Sequence, residues 1–272
     1  MAGKKKSAAR RNRPRMAESA DRFALYEAAV QDADVEMEFV ADIYRKTRGR
    51  DARLLREDFC GSGWAACEWA QRHRQNRAFG VDLDETVLEW GRQRHWQRLS
   101  PATRERVQLI HGDVLDTPTE KVDITVAMNF SYWIFKERAT LLKYFRAVHR
   151  GLGKDGMFLL DAYGGYEAFR DEYVEKRRCK GFTYEWEQAS YDPISGDYVC
   201  HINFRFSDGS AIKPAFTYEW RLWTLPEIRE LLLEAGFSKV AVWWQEDEDG
   251  DYAPVERGSA DPAWICYLAA EA

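Results

Sequence analysis

The apolar positions change period along the chain, and the changes mark its elements. From Asp21 to Arg48, Phe23, Leu25, Tyr26, Val30, Val35, Met37, Phe39, Val40, Ile43 and Tyr44 recur at spacings of three and four. This predicts two helices broken near Asp32 to Asp34 and capping a core. Strand and helix signals then alternate: strand Arg53 to Phe59, a helix to about His73, strand Arg77 to Leu83, and a helix to about Leu99. Further strands are expected at Val107 to Val114, Val122 to Phe130 and Gly156 to Tyr163, with a helix over Glu137 to Arg150. Such alternation builds a parallel α/β sheet.

Between Gly181 and Trp223 the pattern becomes three long strand-like runs, joined by the turn-rich stretches Asp192 to Asp197 and Ser207 to Ser210. This reads as an antiparallel insertion. Phe182-Thr183-Tyr184-Glu185-Trp186 reappears as Phe216-Thr217-Tyr218-Glu219-Trp220, and period-two geometry puts the aromatics of each copy on one face. Those faces either pack the insertion or roof a pocket. A helix from Pro226 to Ala235, stopped by Gly236, and strands at Val240 to Gln245 and Trp264 to Leu268 complete the chain.

Composition narrows the function. A chain of 272 residues, 45% hydrophobic, fills one elaborated domain, expected over residues 21–272, with the helical cap at 21–48 and the insertion at about 181–223. Residues 1–20 hold Lys and Arg, with no acid before Glu18 and little to bury, and are expected to be a disordered basic tail. The net charge of −5 argues against a body that binds nucleic acid, so any such contact is expected through the tail alone. No stretch is apolar enough to span a bilayer, and no CxxC pair or metal-ligand spacing links the five cysteines. The expectation is a cytoplasmic protein without a metal.

The chemistry begins where the strand Leu54-Leu55-Arg56-Glu57-Asp58 runs through Phe59 and Cys60 into Gly61-Ser62-Gly63 and a helix. A turn without side chains lets a ligand lie on the backbone, against the positive end of the helix. Asp82 follows 19 residues after Gly63 at the next strand end, where a carboxylate can accept from both ribose hydroxyls. A nicotinamide dinucleotide fits these two features equally well. Asp113, at the third strand end, is a helix cap or turn former when taken singly.

Taken in order and spacing over Arg53 to Leu268, these landmarks resemble the class I S-adenosylmethionine-dependent methyltransferases, whose fold is a Rossmann-like seven-stranded, mostly parallel sheet. Here an antiparallel β insertion would follow the fifth strand. The resemblance implies S-adenosylmethionine as cofactor, with Glu57, Phe59, Cys60, Gly61 and Gly63 around its methionine portion. It places Asp82 on the ribose, Leu83 against the adenine, and Asp113 and Val114 at the exocyclic amine and a ring nitrogen. Phe59 stands where the family has its first glycine. Asn129, in Met128-Asn129-Phe130-Ser131-Tyr132-Trp133, falls where the family presents its methyl acceptor. The Asn-Pro-Pro-aromatic motif of the amino-methylating nucleic-acid enzymes is not matched, because both prolines are missing.

The expected activity is in-line methyl transfer to a small molecule, at nitrogen, oxygen or sulfur. Asn129, Tyr132 and His201 are the candidates for catalysis, Tyr163, Glu185 and Arg221 for acceptor contacts, and Tyr26 for closing over the cofactor. A nucleic-acid or protein methyltransferase and a non-catalytic cofactor-binding protein are the alternatives. Alternation serves a lid and a dimer contact equally well in the insertion, so monomer and homodimer both stay open.

Overall fold

The computed structural model describes residues 14–245 and 251–272. The expected tail therefore lies outside the described residues up to residue 13, and its last part forms a helical turn, α1 (Met16–Ser19). The chain divides into two units. Of the described residues, one holds those up to Asp32 together with Arg170–Glu219, and the other holds those of Ala33–Phe169 and Trp220–Ala272.

The larger unit is an eight-stranded sheet with helices. In chain order it contains α3 (Ala33–Arg48), β1 (Leu54–Asp58), α4 (Trp64–Arg72), β2 (Arg77–Asp82), α5 (Glu85–Arg94), α6 (Pro101–Arg104), β3 (Val107–His111) and β4 (Val122–Ala127). α7 (Arg138–Gly151), β5 (Leu152–Gly164), α8 (Leu225–Ala235), β10 (Lys239–Trp244), β11 (Ala253–Val255) and β12 (Trp264–Glu271) follow. The strand order is β11-β10-β12-β5-β4-β1-β2-β3. β3, β2, β1, β4 and β5 run parallel, while β12, β10 and β11 add on antiparallel. The chain builds outward from β1 to β3 and then returns to β4, so the order reverses between β1 and β4, where sheets of this kind open a crevice at their carboxyl ends.

The core follows from the apolar stripes. On α3, Met37, Val40, Ile43 and Tyr44 are at most 1% exposed and join Leu55, Val126 and Leu159 of the sheet. Leu141, Tyr144, Phe145 and Val148 of α7 are buried as well, with Tyr144 and Phe145 against Phe158. Asp84 caps α5 by accepting from the Thr86 amide. Gly91 on α5 was not singled out by the sequence, yet a Cβ there would overlap the Ser62 carbonyl, so only glycine lets α5 lie against the turn after β1.

The smaller unit is an antiparallel meander, β6 (Tyr173–Cys179), β7 (Phe182–Tyr191), β8 (Asp197–Arg205) and β9 (Ala211–Arg221), with α2 (Arg22–Val30). Its aromatic face packs on α2: Leu25, Tyr26 and Val30 join Phe182, Phe204 and Phe216. Of the two readings of the repeated aromatic motif, packing accounts for this face. The two helices expected as one cap are divided, α2 belonging to the meander and α3 to the larger sheet.

Two corrections to the expected architecture share one cause. The sheet has eight strands rather than seven because β11 adds to its edge, and the insertion starts at Tyr173 rather than near Gly181 because β6 precedes it. β6 reads Tyr-Val-Glu-Lys-Arg-Arg-Cys and β11 Ala-Pro-Val, and both are edge strands. An edge strand carries charge or proline because only one side of it is paired, and this removes the apolar alternation that reveals a strand.

Candidate functional site

Three acids stand at the carboxyl ends of neighbouring strands. The Glu57 carboxylate accepts from the Ala66 amide at 2.9 Å, in the first turn of α4. Burial pushes its pKa up to about 8, with Glu36, Asp82 and Asp58 adding to the rise. Asp82 accepts from the Gly61 amide at 2.7 Å through one oxygen and from the Asp84 amide at 2.9 Å through the other. Burial raises its pKa as well. Asp113 is exposed and closes its own turn, one carboxylate oxygen accepting from the Leu115 amide at 2.9 Å.

The turn between β1 and α4 is strained in an informative way. Phe59, in place of the family's first glycine, adopts φ 57°, a left-handed conformation that a bulky residue avoids. Gly63 caps α4 at φ 67°, and a Cβ there would overlap Leu109. Cys60 is buried behind the turn, with its thiol pushed well above the ordinary range by burial. Leu83, just after β2, is 70% exposed and offers a bare apolar surface beside Asp82. His111 bonds the Leu83 carbonyl at 3.0 Å and faces Glu85 at 3.2 Å.

The loop after β3 is held from below by a network the sequence reading missed. Arg56 donates to the carbonyls of Thr117 at 2.6 Å and Val114 at 3.2 Å, and to Asp58 at 2.7 Å. Tyr144 donates to the other Asp58 oxygen at 3.0 Å. Three charges inside the central strand Leu54–Asp58 were the available signal, because a buried charge has to be paired.

Beyond β4, Asn129 and Phe130 are both left-handed, at φ 58° and 57°. Asp161 of β5 accepts from both of their amides, at 2.8 and 2.9 Å. Tyr132 is fully buried and donates to the Asp161 carbonyl at 2.8 Å. Burial first, and Asp161 next, lift its phenol well above its ordinary value. The Phe130 ring meets Tyr163 at 4.8 Å and Trp133 at 5.4 Å, and Trp133 meets Trp220 at 5.8 Å. Tyr163 also lines a cavity of about 780 Å³ with Trp223, Trp244, Trp264, Phe169 and Arg229. That cavity lies among the end of β5, the start of α8 and the segment between β10 and β12.

Residues 59–156 match the family model described as a methyltransferase domain. These residues form a methyltransferase domain. Among solved structures, the methyltransferase resembles an S-adenosylmethionine-dependent methyltransferase from Clostridium acetobutylicum (TM-score 0.66, 17% identity, 91% of this chain and 96% of that one). It also resembles an amino pentose methyltransferase of calicheamicin biosynthesis from Micromonospora echinaspora (TM-score 0.65, 18% identity, 91% and 94%). A third similar structure is a sugar N-methyltransferase from a Streptoalloteichus species (TM-score 0.63, 16% identity, 93% and 92%). No curated protein matches.

The methyltransferase brings Glu57, Phe59, Cys60, Gly61, Gly63 and Asp82 together around one turn, with Leu83, Asp113 and Val114 following β2 and β3. Asn129 and Tyr132 follow β4, and Tyr163 lines the cavity. Arg221 is committed elsewhere: it pairs with Glu227 at 2.8 Å and its guanidinium lies 3.8 Å from the Trp223 ring centre. Tyr26, Glu185 and His201 belong to the smaller unit. Tyr26 packs on Phe216, and His201 bonds Thr217 at 3.0 Å. Glu185 pairs with Arg205 at 2.7 Å and Lys176 at 3.2 Å. Among the described residues, no group of His, Cys, Asp or Glu could hold a metal ion, and no helix is long and apolar enough to cross a membrane.

Proposed function

We propose that this protein transfers the methyl group of S-adenosylmethionine to a small molecule held in the cavity beside Tyr163, with a polar amine as the first acceptor class. The observation that carries the reading is the lack of a cation beside the acids at the strand ends. Glu57 and Asp82 are acids raised by burial without a neighbouring cation among the causes acting on them, and Arg56 is already bound to Asp58 and two carbonyls. A donor carrying an ammonium and a sulfonium brings the missing cation and draws these acids into their ionised form, whereas the pyrophosphate of a dinucleotide brings only further negative charge.

In this reading Asp82 accepts from the ribose hydroxyls and Leu83 covers the adenine. Asp113 accepts from the exocyclic amine beside the Val114 amide, and Glu57 and the turn from Phe59 to Gly63 seat the methionine portion. When bound, S-adenosylmethionine supplies an electrophilic methyl group on sulfur. The chain's part is to align the acceptor with that methyl and to exclude water, roles we assign to Asn129, Tyr163 and the rings of Phe130 and Trp133 packed on Tyr163. A cavity of about 780 Å³ suits a small molecule. The two similar structures named for an amino pentose and for sugar N-methylation support an amine acceptor.

Titration calorimetry with S-adenosylmethionine, its demethylated product and NAD, followed by transfer of labelled methyl to panels of amino sugars, amino acids and aromatic amines, tests the proposal. Binding of the first two ligands without NAD, weakened about tenfold by Asp113→Ala, and labelling of a small amine are expected. Binding of NAD alone, or labelling confined to RNA or protein, would overturn it.

A further inference from the structure

Asn129 and Phe130 are two consecutive side-chain-bearing residues in the left-handed region, and such a pair persists only where its surroundings impose it. The imposing group is Asp161. The register pairs Ala127 with Leu160, so Asp161 is the next residue along β5, and its carboxylate reaches the turn by which the chain leaves β4. Each oxygen takes one amide, at 2.8 and 2.9 Å, and the Asp161 carbonyl holds the Tyr132 hydroxyl two residues further on.

We infer that Asp161 is a positioning residue for the acceptor end of the site, fixing the backbone from which Asn129 and the rings that back Tyr163 project. The link to the cavity runs through one ring, since Phe130 lies edge-on to Tyr163 and Tyr163 lines the cavity. The consequence for methyl transfer rests on the function proposed above, but the clamp itself does not.

The clamp needs an ionised carboxylate, because a protonated one turns an O–H toward an amide N–H and loses an acceptor. Burial pushes Asp161 up to about 7 against the pull of the two amides, and Glu36 of α3 adds a like charge. The other titratable groups around it are Tyr132, Tyr252, and Tyr267 and Cys266 of β12. All are raised by burial and stay neutral across this range. The clamp therefore closes as pH rises through about 7.

The test follows the backbone amide proton and nitrogen resonances of Asn129 and Phe130 between pH of about 5.5 and about 8.5, in the wild type and in Asp161→Asn. Both amides are expected to move together with one midpoint near 7 in the wild type and to lose that midpoint in the variant. Amides that do not titrate in the wild type, or that keep the same midpoint in the variant, overturn the inference. The wild-type titration decides the matter even if the variant does not fold. With an acceptor in hand, Asp161→Asn is expected to lower kcat about tenfold while affinity for S-adenosylmethionine changes less than about threefold. An equal loss of both overturns the positioning role. If no acceptor is labelled at all, the proposed function fails while the amide titration still decides this one.

Discussion

Glu57 and Glu185 are both withdrawn from water, at 8% and 1% exposure, but the pKa of Glu57 is pushed up to about 8 and that of Glu185 is held below the usual carboxylate range. Burial opposes ionisation at both. At Glu185, on the polar face of the meander, hydrogen bonds and charge from Arg205 and Lys176 outweigh it. At Glu57, on the end of β1, one amide hydrogen bond does not. The contrast separates an acid that completes its own structure from one left uncompensated, and an uncompensated acid in a crevice marks a place for a ligand.

The largest effect should come from the uncompensated end. Asp82→Ala removes the acceptor for the Gly61 amide together with the proposed ribose contact, and affinity for S-adenosylmethionine is expected to fall about 100-fold in a calorimetric titration. An unchanged affinity would erase the distinction between the two regions.

The next effect is in stability against pH. Because the folded protein holds the Glu57 proton up to about pH 8 while the unfolded chain releases it near 4.5, the native state binds more protons between those values, and stability falls as pH rises through that window. Glu57→Gln cannot lose this proton. Its melting temperature is therefore expected to exceed the wild type by several degrees at a pH of about 8.5 and to match it near about 5, as measured by calorimetry.

The smallest effect belongs to the compensated acid. Glu185→Ala should cost about 1–2 kcal/mol, since Lys176 and Arg205 reach solvent once released, and it should leave cofactor affinity unchanged. A fall in affinity would show that the meander's polar face serves the site after all.

The same contrast explains what could be read in advance. That Glu57, Asp82 and Asp113 stand at three neighbouring strand ends was legible because the spacing of a turn, a strand and an acid is written locally. β2, β4 and β5 were legible because inner strands are buried on both faces and read as apolar runs. Asp161 was hidden inside Met157–Tyr163, since its meaning depends on the register of β5 against β4, a long-range pairing. The left-handed turns at Phe59 and Asn129 were hidden too, because neither residue type announces that conformation. Arg221 and Glu185 were drawn toward the substrate by their charge, although an ion pair within reach satisfies each of them.

The meander unit is discontinuous in the chain, and this has a consequence during synthesis. Tyr26 of α2 rests against Phe216 of β9, a partner 190 positions later. At a ribosomal rate of about 5–20 residues per second, α2 waits roughly 10–40 s with its apolar face uncovered before that partner is made. α2 and α3 thus have separate fates: the strands that cover α3 begin to emerge almost at once, while α2 is among the last elements to find its place.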